Sequence, residues 1–337
     1  MRRLTITDIA RAAGVSKGSV SCALNGQPGV SEQTRQRVVT IAHEMGWRPS
    51  TAARALSDSR ARAVGFVLAR PPRTLGSEPY FMQVISGVEA VLSERSIALV
   101  LQIVDDVDAE LVAYDQWWAE RRVDGVLVSD LRVNDPRVAH LERLGMPATI
   151  FGLTKARGTL ASVRFDEIVT MKAIVRHLAE LGHRRIARVA GRKDFQHTAS
   201  RGRALRAEIK RLGLVETGTI FTDYSSEQGA QATRELLTAD NRPTALIYDN
   251  DIMALAGLLV AREYHLKVPH DISIVAIGNS PLYELIEPSL TATERDIVAF
   301  GARGAEVLLD LLEDRAPQTV WTPAAELITR GSTAPPP

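Results

Sequence analysis

At 337 residues the chain is long enough for two or three domains with cores of their own. Its 45% apolar and 24% charged residues exclude a disordered or collagen-like chain, and its one cysteine, Cys22, excludes an intrachain disulfide framework or cysteine metal cluster. The net charge of +1 is unevenly spread: residues 1–62 carry ten Arg and Lys against four Asp and Glu (+6), the remainder 31 against 36 (−5). A basic head on an acidic body points to a polyanionic partner for the head alone.

The polar start of the chain has no apolar h-region, and no run approaches the roughly 18 apolar residues of a membrane span, so a cytoplasmic protein without membrane contact is expected. Thr5 and Asp8 then have capping-box spacing, and Ile6, Ile9, Ala10 and Ala13 recur at helical intervals. Gly14 suits a left-handed helix stop, and Ser16 an N-cap for a second helix with Val20, Ala23 and Leu24 inward. Lys17, Gly18, Ser21 and Cys22 are left facing outward. A third helix runs from Ser31 through Val38, Ile41, Ala42 and Met45 to Gly46. A basic helix pair around a glycine turn predicts a helix-turn-helix whose second helix enters the major groove. The alternative at this level is a small solvated bundle. Residues 14–18 also fit G-x-S-x-G, but a nucleophile elbow needs a strand before its serine, and an amphipathic helix stands there instead.

Residues 5–16, Val20-Ser21, Leu24-Asn25-Gly26, residues 30–35 and residues 46–50 together resemble the headpiece of the LacI/GalR repressors. The resemblance implies that Lys17 and Gly18 hold base-reading positions. It implies that Thr5, Ser16, Ser19, Ser21, Asn25 and Ser31 face phosphates or base edges. Cys22 departs from the pattern, because the family usually has arginine there, and a thiol cannot make the bidentate guanine contact. A small residue accepted at a groove-facing site explains it better than a redox sensor, since no basic cluster or second cysteine accompanies it.

Residues 50–57 are Ala-rich and too short for a stable isolated helix, so by composition they form a flexible linker. Their resemblance to the family's hinge helix implies ordering on operator DNA, with Leu56 as a minor-groove wedge and Arg54 on a phosphate.

From residue 63 onward, apolar runs alternate with amphipathic segments. Strands are expected over 64–69, 98–104, 125–129, 148–151, 186–190, 245–248 and 272–277, and helices over 81–94, 169–181, 200–212, 226–237 and 251–264. Strands apolar on both faces imply doubly wound parallel sheets, and about 270 residues exceed one such sheet, so two α/β lobes are expected. Residues 181–187, 250–255, 268–273 and 326–333 resemble the family's effector domain, whose fold is that of periplasmic sugar-binding proteins. The resemblance implies three crossings between lobes, near residues 163, 293 and 321. The expected division is a headpiece over 1–49, a hinge over 50–62 and an effector and dimerisation domain over 63–333. Its N-lobe takes 63–163 and 294–320, its C-lobe 164–292 and 321–333.

Ligands in such folds sit at the carboxyl ends of strands, between the lobes. The matching positions are Phe81, Asp130, Arg201, Tyr224, Asn250, Asp251 and Asn279. Polar groups beside aromatic faces suit a polyhydroxylated ligand, so a sugar effector is expected. Each has a plainer alternative: Asn250 and Asp251 as helix caps, Phe81 as core, Arg201 in an exposed ion pair. Gly278 and Asn279 stand where the family commonly has two acids. No catalytic or metal motif is present, His183 reads as structural, and no cofactor is expected. The expectation is therefore a regulator, read as a repressor, acting as a homodimer on palindromic operator DNA. A cytosolic solute receptor or an α/β enzyme is the alternative.

Overall fold

The computed structural model describes residues 4–47, 60–71, 76, 78–152, 154 and 157–337. The chain divides into two compact units, Met1–Ala61 and Arg62–Pro337.

In the first unit, α1 (Ile6–Ala13), α2 (Lys17–Leu24) and α3 (Glu32–Glu44) pack around Ile9, Ala13, Val20, Ala23, Val38 and Ala42. The local signals act as the sequence suggests. The Asp8 carboxylate accepts from the Thr5 amide at 2.9 Å and the Thr5 hydroxyl at 2.7 Å, closing the box at the start of α1. Gly14 turns the chain at φ 65°. The Ser16 and Ser31 hydroxyls accept from the Ser19 and Thr34 amides at 3.1 and 3.2 Å, so Ser16 is a helix cap and no elbow nucleophile. Arg35 on α3 adds a tie that its composition did not announce. Its guanidinium donates to the carbonyls of Cys22, Ala23 and Gln27 at 3.0–3.4 Å, satisfying the C-terminal end of α2.

The second unit holds two six-stranded sheets. The first comprises β1 (Ala63–Ala69), β2 (Ala98–Val104), β3 (Gly125–Val128), β4 (Ala148–Phe151), β5 (Leu160–Arg164) and β11 (Thr319–Trp321), ordered β11-β5-β4-β3-β1-β2 and wholly parallel. The second comprises β6 (Arg185–Ala190), β7 (Val215–Phe221), β8 (Ala245–Tyr248), β9 (Ser273–Ile277), β10 (Thr291–Glu294) and β12 (Glu326–Ile328), ordered β12-β10-β9-β8-β6-β7. It is parallel except for β12, which returns antiparallel to β10. Helices α4 (Pro79–Glu94), α5 (Val107–Ala119), α6 (Pro136–Leu144) and α11 (Ile297–Leu312) belong to the first lobe. Helices α7 (Glu167–Glu180), α8 (Gln196–Leu212), α9 (Ser226–Thr238) and α10 (Asp251–Glu263) belong to the second.

Strand pleating explains the double winding. In β8, Ala245 and Ile247 join one core with α7 and α8, while Leu246 and Tyr248 join another with α9 and α10. The chain changes lobe after β5, after β10 and after β11. Strands β5, β7, β10, β11 and β12 were not evident as apolar runs. β11 and β12 have three residues each, and β7 is a sheet-edge strand with a polar, half-exposed pattern. Among the described residues no helix is long and apolar enough to cross a membrane.

Candidate functional site

In both sheets the winding reverses beside the first strand, between β1 and β3 in one lobe and between β6 and β8 in the other. Such reversals open a crevice at the carboxyl ends of the strands. Here the two crevices face a single cavity of about 570 Å³. Its lining includes Arg70 just after β1, Asp130 after β3, Asp249, Asn250 and Asp251 after β8, and Asn279 after β9. The three crossings add Arg164 and Glu167, Glu294 and Arg295, and Trp321.

The walls are held by charge pairs. Arg70 donates to Asp130 at 2.7 Å, and its guanidinium lies 4.8 Å from the Phe195 ring centre and 5.0 Å from that of Tyr224. Burial alone would raise the Asp130 carboxyl, but Arg70 more than offsets it and holds Asp130 below the usual carboxylate range. Glu167, the first residue of α7, receives Arg201 at 2.6 and 3.1 Å and Arg295 at 2.9 Å. Burial pushes Glu167 up, and these two guanidinium groups pull it far below its ordinary range. Asp249 is fully buried in a two-pronged pair with Arg188, at 2.9 and 2.5 Å, and also accepts from the Gly191 amide. Arg201 therefore sits between two carboxylates, 3.8 Å from Asp249. Removing it would leave Glu167 to Arg295 and Asp249 to Arg188, each short of one buried cation.

Two groups depart from their ordinary ionisation. Burial raises Glu78 to about 7, with Arg70 opposing and Asp130 and Asp251 adding to the rise. Burial lowers His197 to about 4, assisted by Arg201, and its Nε2 lies 2.6 Å from the Tyr224 hydroxyl. At neutral pH the imidazole is uncharged, so the cavity presents a neutral ring rather than a cation.

Of the residues expected from sequence, Asp130, Arg201, Tyr224, Asn250, Asp251 and Asn279 line this cavity together. Arg201 is 4% exposed, so its ion pairs are buried rather than on the surface. Asn250 takes the plainer role of helix cap, its Oδ1 accepting from the Met253 amide at 3.0 Å, and its Nδ2 donates to the Tyr224 carbonyl at 3.1 Å. Asn279 donates to Glu294 at 3.3 Å and accepts from Arg330 at 3.1 Å. Phe81 is not in the lining. It is 2% exposed in the first-lobe core with Arg70 5.6 Å above its ring, and Tyr80 lines the cavity instead. One helical step turns a side chain by about 100°, enough to exchange core for crevice. His183 is buried among Thr244, Ser273 and the Ala334 carbonyl, a structural role.

Arg70, Glu78, Glu167, His197 and Arg295 were not anticipated. Arg70 had a usable signal, since it immediately follows an expected strand. Glu167 and Arg295 lie at the crossings, which join the two lobes at the crevice.

In the headpiece, Lys17 and Gly18 are exposed, as are Thr5, Ser16, Asn25 and Ser31, whereas Ser19, Ser21 and Cys22 are half-buried. The Ser16 and Ser19 hydroxyls bond each other at 2.9 Å, and Asn25 donates to Ser21 at 3.4 Å. Arg54 and Leu56 lie outside the described residues. Among those described, no cluster of three or more His, Cys, Asp or Glu is arranged to hold a metal ion.

Residues 5–50 match the family described as bacterial regulatory proteins, lacI family, and residues 175–333 match a periplasmic binding protein-like domain. The chain is 31% identical to the HTH-type transcriptional regulator CelR of Thermobifida fusca, over 95% of both chains. The chain belongs to the lacI family of bacterial regulatory proteins. As a member it is a DNA-binding transcriptional regulator, and the relatives it matches are regulators rather than enzymes. Among solved structures, a complex described as transcriptional regulator CelR with cellobiose is 29% identical, with a TM-score of 0.74, covering 98% of this chain and all of that one. A lac repressor dimer bound to operator and the anti-inducer ONPF has a TM-score of 0.86 at 23% identity, covering 99% of this chain and all of that one. That likeness concerns the fold. The helical headpiece and two-lobed α/β body expected from the sequence are those of the family.

Proposed function

We propose that this regulator is a repressor that binds a palindromic operator as a homodimer, under the control of a carbohydrate held between its lobes. The observation that carries the reading is the cavity itself. Fixed carboxylates and amides line it together with the aromatic side chains Tyr80, Phe165, Tyr224 and Trp321, a mixture that suits the hydroxyls and C–H groups of a sugar. The family's lac repressor dimer on operator and the CelR complex with cellobiose support the partner classes. One headpiece reads only a few base pairs, so two, spaced by a helical turn, supply specificity. Edge strand β2 exposes Leu101 and Ile103, an apolar edge of the kind a second copy covers.

On this reading Lys17, Gly18 and Cys22 meet base edges, while Thr5, Ser16, Ser19, Ser21, Asn25 and Ser31 serve phosphates or bases. Residues 50–62 form the hinge, with Leu56 as wedge and Arg54 on a phosphate. Asp130, Arg201, Tyr224, Asn250, Asp251 and Asn279 hold the effector, and Phe81 supports them from behind. The effector closes or rotates the lobes and shifts the hinge between ordered and disordered states. The protein acts in the cytoplasm.

Footprinting on the DNA upstream of its own gene, with and without neutral disaccharides, tests this. A protected palindrome whose occupancy responds to one of the sugars is expected. Absence of any protected palindrome would sink the reading. Leu56→Gly should abolish the footprint while salt-sensitive nonspecific binding persists.

A further inference from the structure

We infer that the cavity takes a neutral, unphosphorylated disaccharide, with the Glu78 carboxyl as a specificity-determining contact. This rests on the carbohydrate reading above.

Three observations converge. The first is charge. Among the described residues, eight carboxyl groups and four guanidinium groups line the cavity, and three of the four arginines are already engaged by carboxylates: Arg70, Arg201 and Arg295. The fourth, Arg164, sits over Trp321, its guanidinium carbon 3.7 Å from the ring centre. A phosphate ester would enter a chamber with twice as many carboxyl as guanidinium groups, three of the four guanidinium groups already paired, so much of the cost of desolvating it would go unreturned.

The second is unmet hydrogen bonding. Glu78 Oε2, Arg164 Nε and Arg295 Nε are buried without a partner, and all three belong to residues lining this one cavity. Buried polar atoms are rarely left so, and their clustering here marks where a ligand or water must bond. Sugar hydroxyls, each of which donates and accepts, can answer the unmet hydrogen-bonding capacity of these lining residues. Among the described residues, Asp130, Glu167 and Asp249 already hold arginines, whereas Glu78 and Asp251 hold none, and Asp251 accepts from the Ile252 amide. The charged groups around Glu78 are Arg70 after β1, Asp130 after β3, Arg201 on α8 and Asp251 on α10. Burial raises its carboxyl to about 7 while Arg70 and Arg201 oppose the rise, so near neutral pH a substantial share is protonated and can both donate and accept.

The third is size. A cavity of about 570 Å³ lies within the usual range of small-molecule sites and has room for two sugar rings. Trp321, 55% exposed, and Phe165 belong to the same lining, with Arg164 over the Trp321 ring and Arg295 over that of Phe165.

Calorimetric titration of the full chain tests the inference, with cellobiose, maltose, lactose and sucrose as neutral probes and glucose, glucose 6-phosphate and cellobiose 6′-phosphate as comparators. One neutral disaccharide should bind at least about tenfold more tightly than glucose and than either phosphate ester. Glu78→Ala should weaken that disaccharide about tenfold or more, the usual effect of losing a hydrogen bond to an ionisable group, and Glu78→Gln should restore part of it. Thermal melts of each variant separate lost binding from lost fold. Equal or tighter binding of a phosphate ester overturns the charge argument and leaves the carbohydrate reading standing. Undiminished binding by folded Glu78→Ala overturns the role of Glu78. If no sugar binds, the carbohydrate reading itself fails.

Discussion

Cys22 is half-buried on α2, whose first two residues, Lys17 and Gly18, are exposed. If α2 is the recognition helix, a thiol there gives up the bidentate guanine contact an arginine makes. Cys22→Arg should therefore tighten binding to operators with guanine at one symmetric pair of positions by about 1–3 kcal/mol, read by anisotropy across a set of single-base variants. In the cavity, two residues pull stability in opposite directions with pH. Glu78 is raised to about 7, so the folded state holds a proton that the unfolded chain releases, and stability falls as pH rises from about 4.5 to 7. His197 is lowered to about 4, so the unfolded chain takes up a proton first, and stability falls as pH drops from about 6.5 to 4. The two slopes oppose each other between about 4.5 and 6.5. Glu78→Gln should leave the His197 slope exposed, so that its denaturant midpoint rises more steeply with pH across that window than the parent's does. Equal slopes would show that Glu78 ionises normally.

At the scale of elements, the pairing of α4 with α11 depends on glycine. A β-carbon on Gly301 would lie 2.2 Å from the Val84 carbonyl oxygen, and one on Gly87 would lie 1.9 Å from that of Val298. Backbone atoms cannot give way cheaply, so Gly301→Ala should destabilise the second unit by about 1–3 kcal/mol or more despite its better helix propensity. An unchanged denaturant midpoint would contradict that packing. The headpiece was legible because its signals are local: cap, stop and apolar period all lie within a few residues of what they control. Arg35 was not, since nothing in its own neighbourhood says that it closes the C-terminal end of a helix thirteen residues earlier. The same limit explains the strands. β1 and β8 are buried on both faces and read as apolar runs, whereas β12 exists because β10 is there to pair with it.

For the whole molecule, the double winding and the three crossings followed from alternation and resemblance, and these set where a ligand can sit. The cavity's chemistry was only half visible. Asp130, Asn250 and Asp251 follow strands and could be found by that rule. Glu167 and Arg295 meet only because the crossings after β5 and β10 run side by side, bringing residues 128 positions apart to 2.9 Å. Phe81 and Tyr80 exchanged places because periodicity fixes that a helix has an inner face, not which neighbour completes it. The cleft is built from both lobes, so whatever fills it bears on their relative position, and the account's central claim is that this filling is coupled to DNA. That coupling must be reciprocal. Operator binding should be measured by anisotropy with and without the saturating disaccharide, and disaccharide binding by calorimetry with and without saturating operator. The account predicts that the two affinities shift by the same factor, about 5–150-fold, in the same direction. A sugar that binds tightly while leaving operator affinity unchanged would contradict it.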